Sequence, residues 1–236
     1  MIPWSIVPAK CNVELSSTCT TPVPLSSEIT STSIPPDSVA PVAPDISSSA
    51  PRDRFTAAAA GLGADARVLE IGTKQSIEGR PTHTMHVFPQ VARQNYLMAD
   101  VEAGADVDVI ADLHALPQDW TSRFNAVVAV AVFEHLERPW IAAKEVARVL
   151  KPGGWCYIST HQTFPLHGYP SDFFRFSTDA LALIFRDAGL YVSEVAYEHR
   201  AKISAPNEFI ALSYQDEWNA TFPSYLVVNL FAEKRG

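Results

Sequence analysis

The sequence is poor in cysteine, in positive charge and in long apolar runs. Its three cysteines, Cys11, Cys19 and Cys156, are widely scattered and form no C-x-x-C pair, so they indicate no disulfide framework. Lysine and arginine number 18 against 26 acidic residues, for a formal charge of -8, which leaves no global basic surface for nucleic-acid phosphates. No apolar run is long enough to span a membrane. We therefore expect a cytoplasmic protein with a small-molecule or protein substrate and no nucleic-acid or membrane partner.

Glycine and arginine are absent from the first 51 residues, where proline, serine and threonine are abundant. Such a segment cannot bury enough apolar surface to offset the entropy lost on ordering. Residues 1–51 are therefore predicted to form an extended arm or disordered leader, and residues 52–236 the folded domain. Apolar residues such as Trp4 and Val13 leave open an arm that packs across the domain or links two copies into a homo-oligomer.

From Arg52 onward, short apolar runs alternate with helical patterns and turn residues. The predicted strands are ARVLEIG (66–72), NYLMAD (95–100), VDVIAD (107–112), RFNAVVAVAV (123–132), WCYIST (155–160), LYVSEVAYE (190–198) and SYLVVNLFAE (224–233). This alternation predicts an α/β fold, a Rossmann-like doubly wound and mostly parallel seven-stranded sheet with helices on both faces. The last strand is expected antiparallel at an edge.

Three helices are expected between these strands. The first is DRFTAAAAGLG, at residues 53–63. Pro139 suits the first turn of the second helix, which is predicted to run to Leu150 and to end at the following KPGG. Ser177 is predicted to cap the third helix, and Gly189 to end it.

Polar or small residues follow the first three strands, at the edge where open parallel sheets bind ligands. Gly72 follows the first strand, where a side chain would obstruct a ligand that approaches the backbone. Asp100 ends the second strand and can accept charge-assisted hydrogen bonds from both ribose hydroxyls. Asp112 ends the third strand beside Leu113, which puts an acceptor for an exocyclic amine next to an apolar wall. Together these positions predict a nucleoside site.

Several motifs occur in the order seen in class I S-adenosylmethionine (SAM)-dependent methyltransferases of the type 11 group. They are VLEIG (68–72), VDVIADLHALP (107–117), FEHL (133–136), EVARVLKPGG (145–154) and HGYPSDFFRFS (167–177), the last similar to an HxxPxDxxRFT element of one branch. The chain resembles this family over about residues 52–200. The resemblance implies O- or N-methylation of a small molecule, for example a sugar-containing or secondary-metabolite intermediate, with SAM as cofactor and S-adenosylhomocysteine as product. The cofactor-binding residues implied are Glu70, Gly72, Thr73, Lys74, Asp100, Val101, Asp112, Leu113 and Val130.

The turn after the first strand departs from the GxGxG pattern of most members, because Gly72 is followed by TKQS. Lys74 either contacts the carboxylate of SAM or points to solvent. The missing glycines leave open a protein that keeps the fold without methyl transfer, as a scaffold or as an enzyme of other chemistry. NAD binding is a weaker alternative, since GxGxxG is absent and Asp100 lies 28 residues after Gly72, beyond the spacing of about 20 in that fingerprint. A nucleic-acid or protein methyltransferase would need a basic or peptide-binding face that the sequence does not show.

Candidates for contact with the substrate are histidines and one charged pair. They are His135, His161, His167, Asp172 and Arg175. A general base is needed only for an acceptor that carries a proton at working pH, such as a hydroxyl. His135 is favoured as a support for the strand before it, and Asp172 and Arg175 either belong to a lid that binds an anionic group or form a structural ion pair. His83 and His86 have no apparent third ligand, so no metal is expected.

Overall fold

A computed structural model of the protein describes residues 46–168 and 171–236. The strands are β1 (Val68–Ile71), β2 (Tyr96–Asp100), β3 (Val109–Ile110), β4 (Phe124–Val130), β5 (Leu150–His161), β6 (Tyr191–Ala201) and β7 (Ser224–Glu233). They form one sheet in the order β3-β2-β1-β4-β5-β7-β6, in which β1 to β5 run parallel. The predicted seven-stranded, mostly parallel sheet is therefore confirmed.

The last strand is antiparallel as predicted, but its expected place at an edge is wrong. β7 lies between β5 and β6, with Phe231 opposite both Tyr157 of β5 and Glu194 of β6. Most of β7 is buried, whereas most residues of β6 are only half-buried. A near-continuous buried apolar run is typical of a strand covered on both faces, so β7 occupies the interior of the sheet and β6 the edge.

Helices cover both faces of the sheet. They are α1 (Ala50–Ala60), α2 (Pro139–Val149), α3 (Thr178–Asp187) and α4 (Gln215–Thr221). On one face, Phe55 of α1 stacks on Tyr157 with ring centroids 4.3 Å apart. On the other, Val146 of α2 and Phe185 of α3 join the core formed by alternate strand residues such as Val127. The predicted covering of both faces is confirmed.

Two of the three predicted helices have the predicted start signals. Pro139 occupies the first turn of α2, and the Ser177 hydroxyl accepts a hydrogen bond from the Ala180 N–H at the start of α3. The KPGG segment does not form a separate turn after α2. It belongs to β5, where Gly153 has φ 78° and its N–H donates to the carbonyl of Lys234 at 2.7 Å.

The connection from β1 to β2 is irregular. Residues 72–95, all of them described, contain no α-helix and only two short 3-10 segments, Met85–Val87 and Arg93–Asn95. Gly79, Pro81 and Pro89 interrupt this stretch, and proline and glycine disfavour helix interiors. No α-helix therefore begins directly after the turn that follows β1.

The end of the predicted leader contacts the sheet. The Ile46 N–H donates to the Tyr225 hydroxyl at 3.1 Å, and Ser47 pairs with Tyr197 of β6. α1 then begins at Ala50 rather than after Pro51. The rest of the leader, residues 1–45, lies outside the described residues. Within the described part of the chain, no helix has the length and apolar character needed to cross a membrane.

Candidate active site

A cavity of about 610 Å³ lies at the carboxyl ends of β1, β2, β4 and β5. The parallel register places these ends at one edge of the sheet, since Ile71 of β1 pairs with both Ala99 of β2 and Ala129 of β4. The predicted site residues that line the cavity are Gly72, Lys74, Asp100, Val101, Asp112, Leu113, His135, His161 and His167. A volume of this size lies within the range that holds small molecules and cofactors.

Gly72 forms the turn that follows β1. Its φ is 81°, in the region that favours glycine, and its N–H donates to the Ala99 carbonyl at 2.8 Å. A Cβ at this position would lie 2.3 Å from Cγ2 of Val132. The backbone conformation and the Val132 side chain therefore both favour glycine here, and the predicted approach of a ligand to this turn stays a prediction.

The Asp100 carboxylate is oriented by two backbone donors at the end of β2. The Lys74 N–H donates to Oδ2 and the Glu102 N–H to Oδ1, each at 3.1 Å. A carboxylate has about four acceptor sites, so both oxygens can accept further hydrogen bonds. The Lys74 ammonium forms an ion pair with Glu102, and its stem packs over Gly104.

Asp112 and Leu113, which follow β3, line the same end of the cavity as Asp100. Oδ1 of Asp112 accepts the His114 N–H and lies 2.8 Å from its Nδ1. Burial raises the pKa of Asp112, but the hydrogen bonds from His114 outweigh it and hold the pKa below its usual value. Leu113 is 3% exposed and gives the cavity an apolar surface. His114, which the sequence analysis did not select, also lines the cavity.

Three predicted cofactor residues do not line the cavity. Glu70 points to the α1 face of the sheet, where it accepts the Thr84 N–H at 2.8 Å and the Tyr96 hydroxyl. Burial raises its pKa despite these bonds. Thr73 is buried, and its hydroxyl donates to the Asp106 carbonyl at 2.6 Å. Val130 packs against the α1-side core. Strand alternation and the tight turn direct these three side chains away from the cavity.

Glu134 is a fully buried acid between β4 and α2 that the sequence analysis also missed. Its Oε2 accepts the Thr160 hydroxyl at 2.7 Å, and its Oε1 lies 2.6 Å from His161 Nδ1 and 3.9 Å from His135 Nε2. Burial raises the pKa of Glu134, but His161 and Thr160 more than offset this and hold the pKa below its usual value. The site therefore contains a buried carboxylate among imidazoles.

Phe164, His167 and Phe173, from the described residues 163–168 and 171–177, line this end of the cavity. Asp172 pairs with the Arg175 guanidinium through both carboxylate oxygens and accepts the His167 N–H at 2.9 Å. Arg175 also donates to the carbonyls of Phe164 and Pro165, and it lowers the pKa of Asp172. Neither Asp172 nor Arg175 lines the cavity. Their contacts match the structural ion pair, which was one of the two predicted alternatives.

The three histidines at this end form a cluster with two phenylalanines. His161 stacks on Phe164 with centroids 4.0 Å apart, and the ring of His167 lies 4.8 Å from that of His135. The His135 Nδ1 is 2.6 Å from the Ser171 carbonyl. Because a carbonyl only accepts, Nδ1 carries the proton and Nε2 is left as an acceptor. Phe164 and Phe173 complete the wall.

The sequence is similar to those of known methyltransferases. Residues 59–158 match a family described as a methyltransferase domain. A ubiquinone biosynthesis O-methyltransferase from Xanthomonas oryzae pv. oryzae is 27% identical over 187 residues, covering 64% of this chain and 76% of that protein.

Solved structures share the fold. The YcgJ protein from Bacillus subtilis gives a TM-score of 0.54 at 17% identity, covering 80% of this chain and 100% of that chain. A 1,6-didemethyltoxoflavin-N1-methyltransferase from Burkholderia thailandensis, solved with S-adenosylhomocysteine, gives a TM-score of 0.52 at 16% identity over 79% of each chain.

Proposed function

We propose that the chain, which matches a methyltransferase domain family over residues 59–158, is a class I SAM-dependent methyltransferase of the type 11 group that methylates a hydroxyl group of a small molecule. The observation that carries this proposal is the division of the cavity into two chemically different ends. Acidic and apolar residues follow β2 and β3, and a histidine cluster follows β4 and β5. The first end suits a nucleoside and the second suits an acceptor that must lose a proton.

The residues at the first end fit SAM. Asp100 is oriented by backbone donors and keeps acceptor sites for ribose hydroxyls, while Asp112 and Leu113 offer an acceptor and an apolar surface for adenine. The turn at Gly72 would adjoin the methionine part. When bound, SAM supplies a methyl group on a positively charged sulfur, and alignment of the acceptor is then the main task of the protein.

We assign to His135 the role of the base that removes a proton from the acceptor. Its Nδ1–H is held by the Ser171 carbonyl, so Nε2 is the acceptor atom, and the side chain lines the cavity. The Glu134 carboxylate, 3.9 Å from Nε2, stabilises the ring once it is charged. Phe164 and Phe173 give this end an apolar lining.

The test is methyl transfer from SAM to a panel of catechols and simple phenols. With any phenol that the wild-type protein methylates, His135→Gln should lower kcat by about 10²- to 10⁴-fold, the usual contribution of a positioned base. The affinity for S-adenosylhomocysteine, measured by calorimetry, should not change. The matched control is His86→Gln, an exposed histidine outside the cavity. An unchanged kcat for His135→Gln, or transfer to amines alone, would contradict the proposal.

The similarity to a protein named as an O-methyltransferase supports oxygen over nitrogen as the methylated atom. The cytoplasmic location and the lack of a nucleic-acid partner stay predictions that rest on composition. A homo-oligomer formed through the N-terminal arm also stays a prediction, since that arm lies almost wholly outside the described residues.

A further inference from the structure

We propose that Glu134, His161 and His167 form a binding site for a divalent transition metal ion, with Zn²⁺ as the best match. One potential ligand atom from each residue lies within 4.8 Å of the other two. The sequence analysis predicted no metal. The only pair of histidines that it considered as metal ligands, His83 and His86, has no apparent third ligand. Binding of the ion is independent of the proposed function, and only its role toward the acceptor rests on that function.

Two buried atoms in this cluster lack a regular hydrogen bond. Glu134 Oε1 and His161 Nδ1 are both shielded from solvent, and although they lie 2.6 Å apart, their approach falls outside hydrogen-bond geometry. Buried polar groups without good partners are costly. An ion held by both atoms would satisfy both of them.

The surrounding contacts leave one free ligand atom on two of the residues. The Thr160 hydroxyl occupies Oε2 of Glu134, so Oε1 is the available oxygen. Nδ1 of His167 lies 3.1 Å from the Pro165 carbonyl, which makes Nε2 its available nitrogen. Metal-bound histidines usually donate their other N–H to a carbonyl or carboxylate in this way. Stacking on Phe164 fixes the ring of His161.

The donor set selects the class of ion. Two imidazoles and one carboxylate suit Zn²⁺ and its neighbours in the first transition row, whereas Mg²⁺ and Ca²⁺ prefer sites made of oxygen. Bonds of about 2.0–2.1 Å in a tetrahedral site place ligand atoms about 3.3 Å apart. No two of the ligand atoms lie more than 4.8 Å apart, so closing the site requires a shift of at most about 1.5 Å, and the 2.6 Å between Glu134 Oε1 and His161 Nδ1 must widen by about 0.7 Å. His167 can make the closing shift, because its side chain is 30% exposed against 0% for Glu134.

Three protein ligands leave a coordination position for a further group, as in catalytic zinc sites. His161 and His167 both line the cavity, so this position faces the acceptor end. A hydroxyl oxygen bound there would lose its proton more readily, since metal ions lower the pKa of bound oxygen ligands. His135, whose Nε2 faces the same buried carboxylate, would receive that proton.

The experiment is titration of the full-length, tag-free, chelator-treated protein with Zn²⁺ by calorimetry and with Co²⁺ by visible absorption. We expect one ion per chain and the d–d bands of a low-coordinate Co²⁺ site. Loss of a group that only hydrogen-bonds to a metal ligand weakens metal binding by about 10- to 100-fold. His167→Asn and Glu134→Gln each remove a ligand itself, so each should weaken Zn²⁺ binding by more than that. His86→Asn, at an exposed position, is the control and should bind as the wild type does.

Failure of one ion per chain to bind, or wild-type affinity in both ligand variants, would overturn the site. His167→Asn is not expected to disturb folding, because the His167 side chain is partly exposed and belongs to a loop. An unchanged melting temperature of this variant without metal would verify that it folds normally. Neither titration contains SAM or an acceptor. A failed metal site would therefore leave the methyl-transfer assay unaffected, and a failed assay would leave the metal measurement intact.

Discussion

Asp100 combines an oriented carboxylate with a position on the cavity wall, and this makes it the most direct test of SAM binding. Asp100→Ala removes charge-assisted hydrogen bonds of about 1.5–3 kcal/mol each. Loss of two such bonds should weaken binding of SAM and S-adenosylhomocysteine by at least about 100-fold. Calorimetry with S-adenosylhomocysteine measures this loss.

A matched control is Asp119→Ala. The Asp119 carboxylate is 77% exposed, and its nearest approach to the Arg123 guanidinium is a loose 3.7 Å. This substitution should leave the affinity within error, since exposed ion pairs contribute little. If Asp100→Ala bound S-adenosylhomocysteine as tightly as the control, the assignment of the nucleoside end to β2 would be wrong.

Residues at strand ends could be predicted from the sequence, whereas residues that depend on distant partners could not. Asp100 and Asp112 follow readable apolar runs, and the rule that ligands bind beyond the carboxyl ends of parallel strands places them at the cavity. Glu134 is next to a recognisable strand, but its partners Thr160 and His161 come from β5. Its burial and its charge environment depend on the pairing of β4 with β5, which no local pattern reveals.

In the loop between β5 and α3, one guanidinium contacts several of the described residues. Arg175 bonds to Asp172 and to the carbonyls of Phe164 and Pro165, and the same loop supplies His167 to the cavity. Arg175→Lys keeps the charge but loses the planar donors that serve several acceptors at once. We expect a several-fold higher KM for the acceptor and faster proteolytic cleavage between residues 163 and 177, with unchanged affinity for S-adenosylhomocysteine.

Arg186→Lys provides the control for this substitution, because Arg186 is an exposed arginine in the last turn of α3. Equal proteolysis and equal KM in the two variants would show that Arg175 does not organise the loop. A loss of S-adenosylhomocysteine affinity in Arg175→Lys would show instead that the loop supports the nucleoside end.

At the level of elements, capping residues and apolar periodicity correctly predicted the helices α2 and α3. These local patterns did not predict the order of the last strands in the sheet. Pro139 and Ser177 act locally, so their roles can be read from the chain itself. The insertion of β7 between β5 and β6 depends on pairing across more than 60 residues, as in Tyr157 opposite Phe231. Alternation indicates how much of a strand is buried, but not which strands are its neighbours.

For the whole molecule, the boundary of the folded unit is the feature that a truncation can test. The sequence placed this boundary after residue 51, but Ile46 bonds to Tyr225, the Ser48 N–H donates to Tyr197 at 2.9 Å, and α1 begins at Ala50. A protein of residues 52–236 loses these two hydrogen bonds and the first turn of α1. At about 0.5–1.5 kcal/mol for each hydrogen bond, its free energy of unfolding should fall by about 2 kcal/mol relative to residues 46–236. Urea unfolding of the two proteins measures the difference. Equal stability would place the boundary where the composition changes, whereas the expected loss would show that residues 46–51 belong to the folded domain.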